Sequence, residues 1–335
     1  MVTIYDISKK SGYSPTTVSK ALNNYSDIKT ETKEKIKKIA RQLGYFPNSQ
    51  AKALATKKTW NIGVLFSDEE HTGLSHYFFS QILEHFKREA ESKGYDLTFI
   101  SRDIGKKDMT YLEHCRYRQV DGIIIACIDF ADLQVQELIR SKIPVVVIDE
   151  SSLSNSSVNS ENIEGANLLY NYLFSLGHRR IAYIHGQRYN FVTQARIKGY
   201  LQGIEENKQV FNTDYLVEGR YYSPQYGYKK MKELLSLKIK PTAVMMADDY
   251  MAIGAMDAIK ESGLKIPEDI SITGYDGIEL SQLIHPRLTT IKQQPDLMGK
   301  KAADKLIKMI ENPDIQPEII NVPVILIEGE STRGI

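Results

Sequence analysis

The sequence predicts an α/β protein in which a small all-α head precedes a body of two doubly wound parallel-sheet subdomains. Three observations predict it: basic charge gathered at the N-terminus, helical apolar spacing with cap residues in that same stretch, and short apolar runs alternating with amphipathic stretches from residue 60 onward. With 335 residues, 42 % of them hydrophobic, the chain exceeds the size at which single cores stop growing, about 250 residues, so two or three domains are expected.

Charge separates the head from the rest. Residues 1–58 carry twelve Lys/Arg against four Asp/Glu, a surplus of eight, whereas the whole chain nets only +1. A basic head on an acidic body points to a polyanionic partner for the head alone. Thr3, followed by Ile4, Ile7 and Gly12, spells a short helix capped at one end and stopped at the other. Ser14 as N-cap, Pro15 in the first helical position and Val18, Ala21 and Leu22 on one face give a second helix packed on the first. Two short helices across a Gly-containing turn make a helix-turn-helix. Its second member turns Pro15, Thr16, Thr17 and Lys20 outward, small and basic side chains suited to base edges in a major groove and to phosphates. A third helix, about 31–43, adds Ile36, Ile39, Ala40 and Leu43 to the same core. Residues 48–59, rich in Ala and Lys, are helical by propensity but too few for a stable helix alone in water, so they read as a helix that needs a partner or as a linker.

From residue 60 the pattern is strand then helix, as parallel sheets require. Apolar runs at 61–66, 97–101, 122–126 and 145–148 alternate with amphipathic stretches at 77–93, 109–118 and 132–140. A second series has strands at 181–185, 243–247 and 270–275 and helices at 163–176, 192–208, 224–237 and 250–262. In such sheets ligands bind in the crevice beyond the carboxyl ends of the strands.

Several chemistries find no support. No Gly-rich phosphate or dinucleotide loop follows any strand, and no nucleophile elbow appears. Cys115 and Cys127 lack partners at metal or disulfide-framework spacing and read as reduced packing residues. His71 and His76 have no third ligand, so no metal, cofactor or catalytic site is expected. There is no apolar run of membrane-spanning length and no apolar leader in the first ten residues, which predicts a soluble cytoplasmic protein with no membrane partner.

The head segments YDISKKSGYSPTTVSKALNN (5–24) and TKEKIKKIARQLGYFPN (32–48) resemble the head of the lactose-repressor/galactose-repressor family of transcription regulators. The resemblance continues through the body in Glu161-Asn162, LGHRRIA (176–182), Ala195-Arg196, Asp248-Asp249, Gly274-Tyr275-Asp276, LTTI (288–291) and ESTR (330–333), and so covers essentially the whole chain. It implies a periplasmic-binding-protein-like body, with a head at 1–47, a hinge helix at 48–59, one subdomain at 60–159 and 291–319, and another at 160–290 and 320–335.

By that resemblance Pro15, Thr16 and Lys20 read bases, Tyr5, Thr17, Ser19 and Asn23 hold phosphates, and Asn48 and Leu54 also meet DNA, Leu54 as a minor-groove wedge. Lys20 stands where the family usually has Arg. For the crevice, the resemblance implies an effector, a sugar, met by Tyr77, Phe78, Asp149, Arg196, Tyr222, Asp248 and Asp276, with Asn159 and Gln293 as weaker matches. Most members carry Asn at the place of Asp248, and an acid there suits an amine-bearing effector equally well. The implied partners are a double-stranded, pseudo-palindromic operator and a second copy of the chain, because no heptad tail follows Thr332 to build a tetramer. Three rivals stand beside this reading: control by a phosphocarrier corepressor protein, a cytoplasmic solute-binding protein, and a metabolic enzyme with an accidental head-like segment.

Overall fold

The computed structural model describes residues 2–46, 58–67, 73–102, 104–105, 107–150 and 155–335. They belong to two compact units, 1–59 and 60–335.

Among its described residues the first unit is built on three helices: α1 (Ile4–Ser11), α2 (Pro15–Leu22) and α3 (Thr30–Leu43). Thr3 and Asp6 form a reciprocal capping box on α1, and Gly12 ends it at φ 77°, a left-handed conformation that costs glycine little. Ser14 accepts the Thr17 amide and Pro15 opens α2. Ile7, Val18, Ala21, Ile36 and Ala40 are buried between the helices, with Ile4, Leu22, Ile39 and Leu43 packed around them. Each fully buried aliphatic side chain contributes about 1.5–3 kcal/mol, so so small a core leaves the head little reserve.

Among its described residues the second unit holds two six-stranded sheets. The first has the order β11-β5-β4-β3-β1-β2, the second β12-β10-β9-β8-β6-β7. In chain order the strands are β1 (Asn61–Phe66), β2 (Asp96–Ile100), β3 (Gly122–Ala126), β4 (Val145–Ile148), β5 (Ser156–Ser160), β6 (Ile181–His185), β7 (Leu216–Glu218), β8 (Ala243–Met246), β9 (Ser271–Asp276), β10 (Thr289–Lys292), β11 (Ile319–Val322) and β12 (Ile325–Ile327). Every ladder is parallel except β10–β12. Both faces of each sheet are covered. On the first, α4 (Tyr77–Ser92) and α11 (Pro295–Glu311) pack one side, α5 (Tyr111–Arg118) and α6 (Leu133–Ile139) the other. On the second, α9 (Pro224–Leu235) and α10 (Asp249–Glu261) oppose α7 (Asn162–Ser175) and α8 (Phe191–Glu206). Helices α9 and α10 approach closely enough that a Cβ on Gly254 would sit 1.9 Å from the Pro224 carbonyl oxygen.

The chain crosses between sheets three times: after β5, after β10 and after β11. The second and third crossings fall later than the boundaries expected at 290/291 and 319/320, because Ile291 and Lys292 still pair with β9 and β11 pairs with β5 in the first sheet. Strand β5, SSVNS, escapes apolar periodicity altogether yet is buried, since β4 and β11 flank it and α11 covers it.

Candidate functional site

On α2 the buried Val18 and Ala21 set the inward face, so Thr16, Lys20 and Asn23, spaced one and two turns apart, share the opposite face. Thr16 and Asn23 are exposed, Tyr5 is 74 % exposed on α1, and Pro15, Thr17 and Ser19 are half-buried beside them. Thr17 is bonded into the cap of α2, its hydroxyl 2.9 Å from that of Ser14. The Asn23 amide donates to the Ser19 carbonyl at 2.9 Å. Lys20 pairs with Asp27 at 2.5 Å. Asn48 and Leu54, and the hinge through residue 57, lie outside the described residues.

In the body a cavity of about 840 Å³ opens at the carboxyl ends of both sheets. Its first wall is the loop after β3 (Cys127–Phe130), the end of β4 with Asp149 and Glu150, and Phe78 and Phe79 at the start of α4. Facing it are Gln187, Tyr189 and Asn190 after β6, Val192 and Arg196 on α8, and Tyr221 and Tyr222 after β7. Three of its lining residues, Cys127 (φ 52°), Asp149 (φ 56°) and Tyr222 (φ 57°), and Asp276 (φ 107°) behind Gln293, hold left-handed backbone without being glycine. Each such conformation costs of order 1–3 kcal/mol and gathers at binding sites when the surroundings enforce it.

Arg196 is the centre of the site. It is buried, donates from Nε to Asn162 Oδ1 and from Nη1 to the Ala247 carbonyl, both at 2.8 Å, and stacks its guanidinium 3.5 Å from the centroid of the Tyr275 ring. Those bonds use two of five donors, and among the described residues no acceptor meets Nη2. Three carboxyls feel its charge, the half-buried Asp149 and the buried Asp248 and Asp276, and Asp249 lies beside Asp248. Burial pushes Asp149 up to about 6 against the pull of Arg196, and leaves its Oδ1 without a hydrogen-bond partner. Asp276 is held well above the usual carboxylate range, again by burial with Arg196 opposing. Its Oδ1 accepts from Gln293 Nε2 at 2.6 Å, while Oδ2 has no partner. Burial also raises Asp248 to about 6 and Asp249 to about 7.

Of the nine residues expected at the crevice, Phe78, Asp149, Arg196, Tyr222 and Gln293 border the cavity. The other four stand behind or beside it. Tyr77 is 39 % exposed, because the helical turn that aims Phe78 and Phe79 inward rotates their neighbour away. Asn159 is enclosed within β5. Asp248 caps α10 through the Met251 amide and accepts the Tyr222 amide with its second oxygen, both at 2.8 Å, so it holds the strained Tyr222 from behind. Asp276 stands behind Gln293. Cys127, expected as simple packing, packs on the first core and also borders the cavity.

Sequence reasoning missed His76, whose ring caps α4 and meets Tyr222 edge-on at 4.1 Å across the cleft. It missed Gln136 and Arg140 on the α6 side, and Gln187, Asn190, Asp129 and Glu150. The last four lie in the loops that leave strand ends, so the rule that ligands sit at strand carboxyl ends was signal enough to find them. Among the described residues no group of three or more His, Cys, Asp or Glu could hold a metal ion.

A helix-turn-helix unit followed by a two-sheet unit with a ligand-sized cleft defines the class of regulators built on a periplasmic-binding-protein-like body. Residues 170–332 match the periplasmic binding protein-like domain, and residues 3–48 match the family described as bacterial regulatory proteins, lacI family. The chain is 38 % identical over 325 residues to "Probable HTH-type transcriptional repressor ExuR" of Bacillus subtilis (strain 168), covering 96 % of this chain and 95 % of that one. It is 33 % identical over 338 residues to the HTH-type transcriptional repressor PurR of Pectobacterium atrosepticum, covering 99 % and 97 %. Among solved structures, a Lac repressor dimer bound to operator and the anti-inducer ONPF superposes with a TM-score of 0.81 at 30 % identity, over 99 % of both chains. A LacI family transcriptional regulator from Enterococcus faecium with bound ribose gives 0.70 at 29 % identity, over 82 % of this chain and 99 % of that one. The chain belongs to the lacI family of bacterial regulatory proteins and is a DNA-binding transcriptional repressor.

Proposed function

We propose that this repressor binds its operator as a homodimer through residues 1–58 and that a sugar bound in the inter-sheet cleft controls that binding. The observation that carries the effector reading is the pairing, in one cavity of about 840 Å³, of unspent polar groups on Arg196 and Asp149 with the aromatic faces of Phe78 and Tyr222. A polyol offers that combination: hydroxyls that donate to a carboxyl and accept from a guanidinium, and a C–H face that stacks on a ring. The ribose-bound relative from Enterococcus faecium supports a sugar, and the operator-bound Lac repressor dimer supports the assembly and a pseudo-palindromic site. The control is a shift of population, in which the ligand favours one arrangement of the two subdomains. Calorimetric titration with a panel of pentoses, hexoses and their acids, paired with operator gel shifts, tests both halves. One sugar is expected to bind and to change operator affinity; a panel without a binder removes the sugar reading. A chain starting at Trp60 should keep the ligand and lose specific DNA binding. Specific binding by that fragment would remove the head from the role.

A further inference from the structure

The four acids of the head are used unequally. Asp6 completes the capping box, its Oδ2 accepting from the Thr3 amide and hydroxyl at 2.8 and 2.7 Å. Glu31 lies in the first turn of α3, where a carboxylate meets the positive helix end. Glu34 faces Lys37 at 3.7 Å, one turn along. Asp27 serves no helix of its own. It sits in the connection between α2 and α3 and accepts a hydrogen bond from Lys20 Nζ at 2.5 Å, with side chains 41 % (Lys20) and 51 % (Asp27) exposed. The bond and the mutual charge raise the lysine and lower the aspartate, so both are ionised at neutral pH.

A carboxylate on a DNA-facing surface is repelled by phosphates unless it meets a donor. In the major groove the donors are the amino groups of cytosine and adenine. A free lysine is a mobile point charge that discriminates poorly between neighbouring acceptors. Tethered to Asp27 it is restrained: one of three ammonium donors is spent on the carboxylate and two remain. The pair therefore presents two donors beside one acceptor-rich group. A G·C pair shows the complementary order, N7 and O6 acceptors and then the cytosine amino donor, whereas A·T places its donor between two acceptors. We propose that Lys20 and Asp27 form a composite reader of one G·C pair in each half-site, Lys20 donating to guanine and Asp27 accepting from cytosine. Asp27 is thereby a specificity-determining residue. This rests on the placement of Lys20 against operator bases argued above.

The test selects duplexes from a randomised double-stranded DNA pool with the full-length chain and its Asp27→Ala, Asp27→Asn and Lys20→Ala variants, followed by affinity measurements on single-position operator variants. The parent is expected to require G·C at one position per half-site. Both Asp27 variants should lose discrimination there by at least about fivefold, keep the preference elsewhere, and bind non-specific DNA more tightly because an acid has been removed. Asp27 lies in an exposed connection outside the core, and circular dichroism of each variant checks the fold. If Asp27→Ala changes affinity for every sequence alike, the composite reader is wrong. If Lys20→Ala relaxes that position and Asp27→Ala leaves it intact, the pairing fails and Lys20 remains a reader. If Lys20→Ala relaxes no position, the placement of Lys20 fails and the pairing with it.

Discussion

Removing the Arg196 side chain tests the electrostatic design of the cleft without requiring the ligand. Arg196→Ala strips the hydrogen bonds from Asn162 Oδ1 and the Ala247 carbonyl, uncovers the Tyr275 ring and leaves Asp149 and Asp276 without the cation that opposes their burial. Breaking a buried charge arrangement by deleting one partner costs about 3–5 kcal/mol. For a body of this size each kcal/mol lowers Tm by about 2–4 °C, so a fall of roughly 6–20 °C is expected. The deficit should also depend on pH. Burial raises Asp149 to about 6 in the folded protein, above its unfolded value, so its favourable contribution is full below about pH 4 and is lost as pH climbs through about 6. Without Arg196 the folded-state values of Asp149 and Asp276 rise further and the loss continues to higher pH. Parent and variant should therefore differ least near pH 5, where these carboxyls are largely protonated in both, and most near pH 8. Scanning calorimetry of the two proteins at both pH values decides it. Equal Tm values, or a gap that narrows from pH 5 to pH 8, would refute the assignment of Arg196 as the counter-ion of the cleft.

Two further substitutions probe the supports on either side of function. Ile7→Ala opens the centre of the three-helix core and should cost about 2–5 kcal/mol, enough to unfold so small a unit. Operator binding should vanish while the effector affinity of the body stays at the parent value, and retained operator binding would show the head to be more robust than its core suggests. Asp248→Ala removes the α10 cap, worth about 0.5–2 kcal/mol, and orphans the Tyr222 amide, worth about 1–3 kcal/mol more. Denaturant unfolding should show the sum, effector affinity should fall because Tyr222 loses its anchor, and Asp248→Asn, with one acceptor left, should lie between. An unchanged midpoint for the alanine variant would leave Asp248 without this supporting role.

The elements legible in the sequence are those whose signals are local. Thr3, Ser14, Pro15 and Gly12 mark the head helices because caps are satisfied by atoms a few residues away. Strands β1, β3, β4, β6 and β8 are legible because a parallel strand covered on both faces must be apolar throughout. Strand β5 is not, since its Ser and Asn side chains are enclosed by elements up to 162 residues distant, as when Ser156 Oγ accepts the Glu318 amide. The edge strands β7, β11 and β12 are three or four residues long and give no period to read.

The site is legible to the same degree and for the same reason. Arg196 and Asp149 border the cavity because each lies at the end of a strand or on the first turns of the helix facing it, positions that the alternating pattern already fixes; Tyr222 directly precedes the N-cap of α9, a helix the pattern also marks. What no local pattern carries is which carboxyls face the cavity and which brace it. Asp248 and Asp276 differ from Asp149 only through bonds made over long range: Asp248 to the Tyr222 amide 26 residues away, Asp276 to Gln293 at the second crossing between the sheets. Gln293 in turn accepts from Ser160 at the first crossing, Arg196 holds Asn162 just beyond it, and Gln294 at the second crossing donates to the Pro323 carbonyl at the third. Every crossing is thus bonded either to a cleft residue or to a neighbour that is. A ligand that engages Arg196 or displaces Gln293 from Asp276 acts on the same bonds that fix the two sheets against each other, which is the physical requirement for a binding event in the cleft to change how the subdomains are arranged.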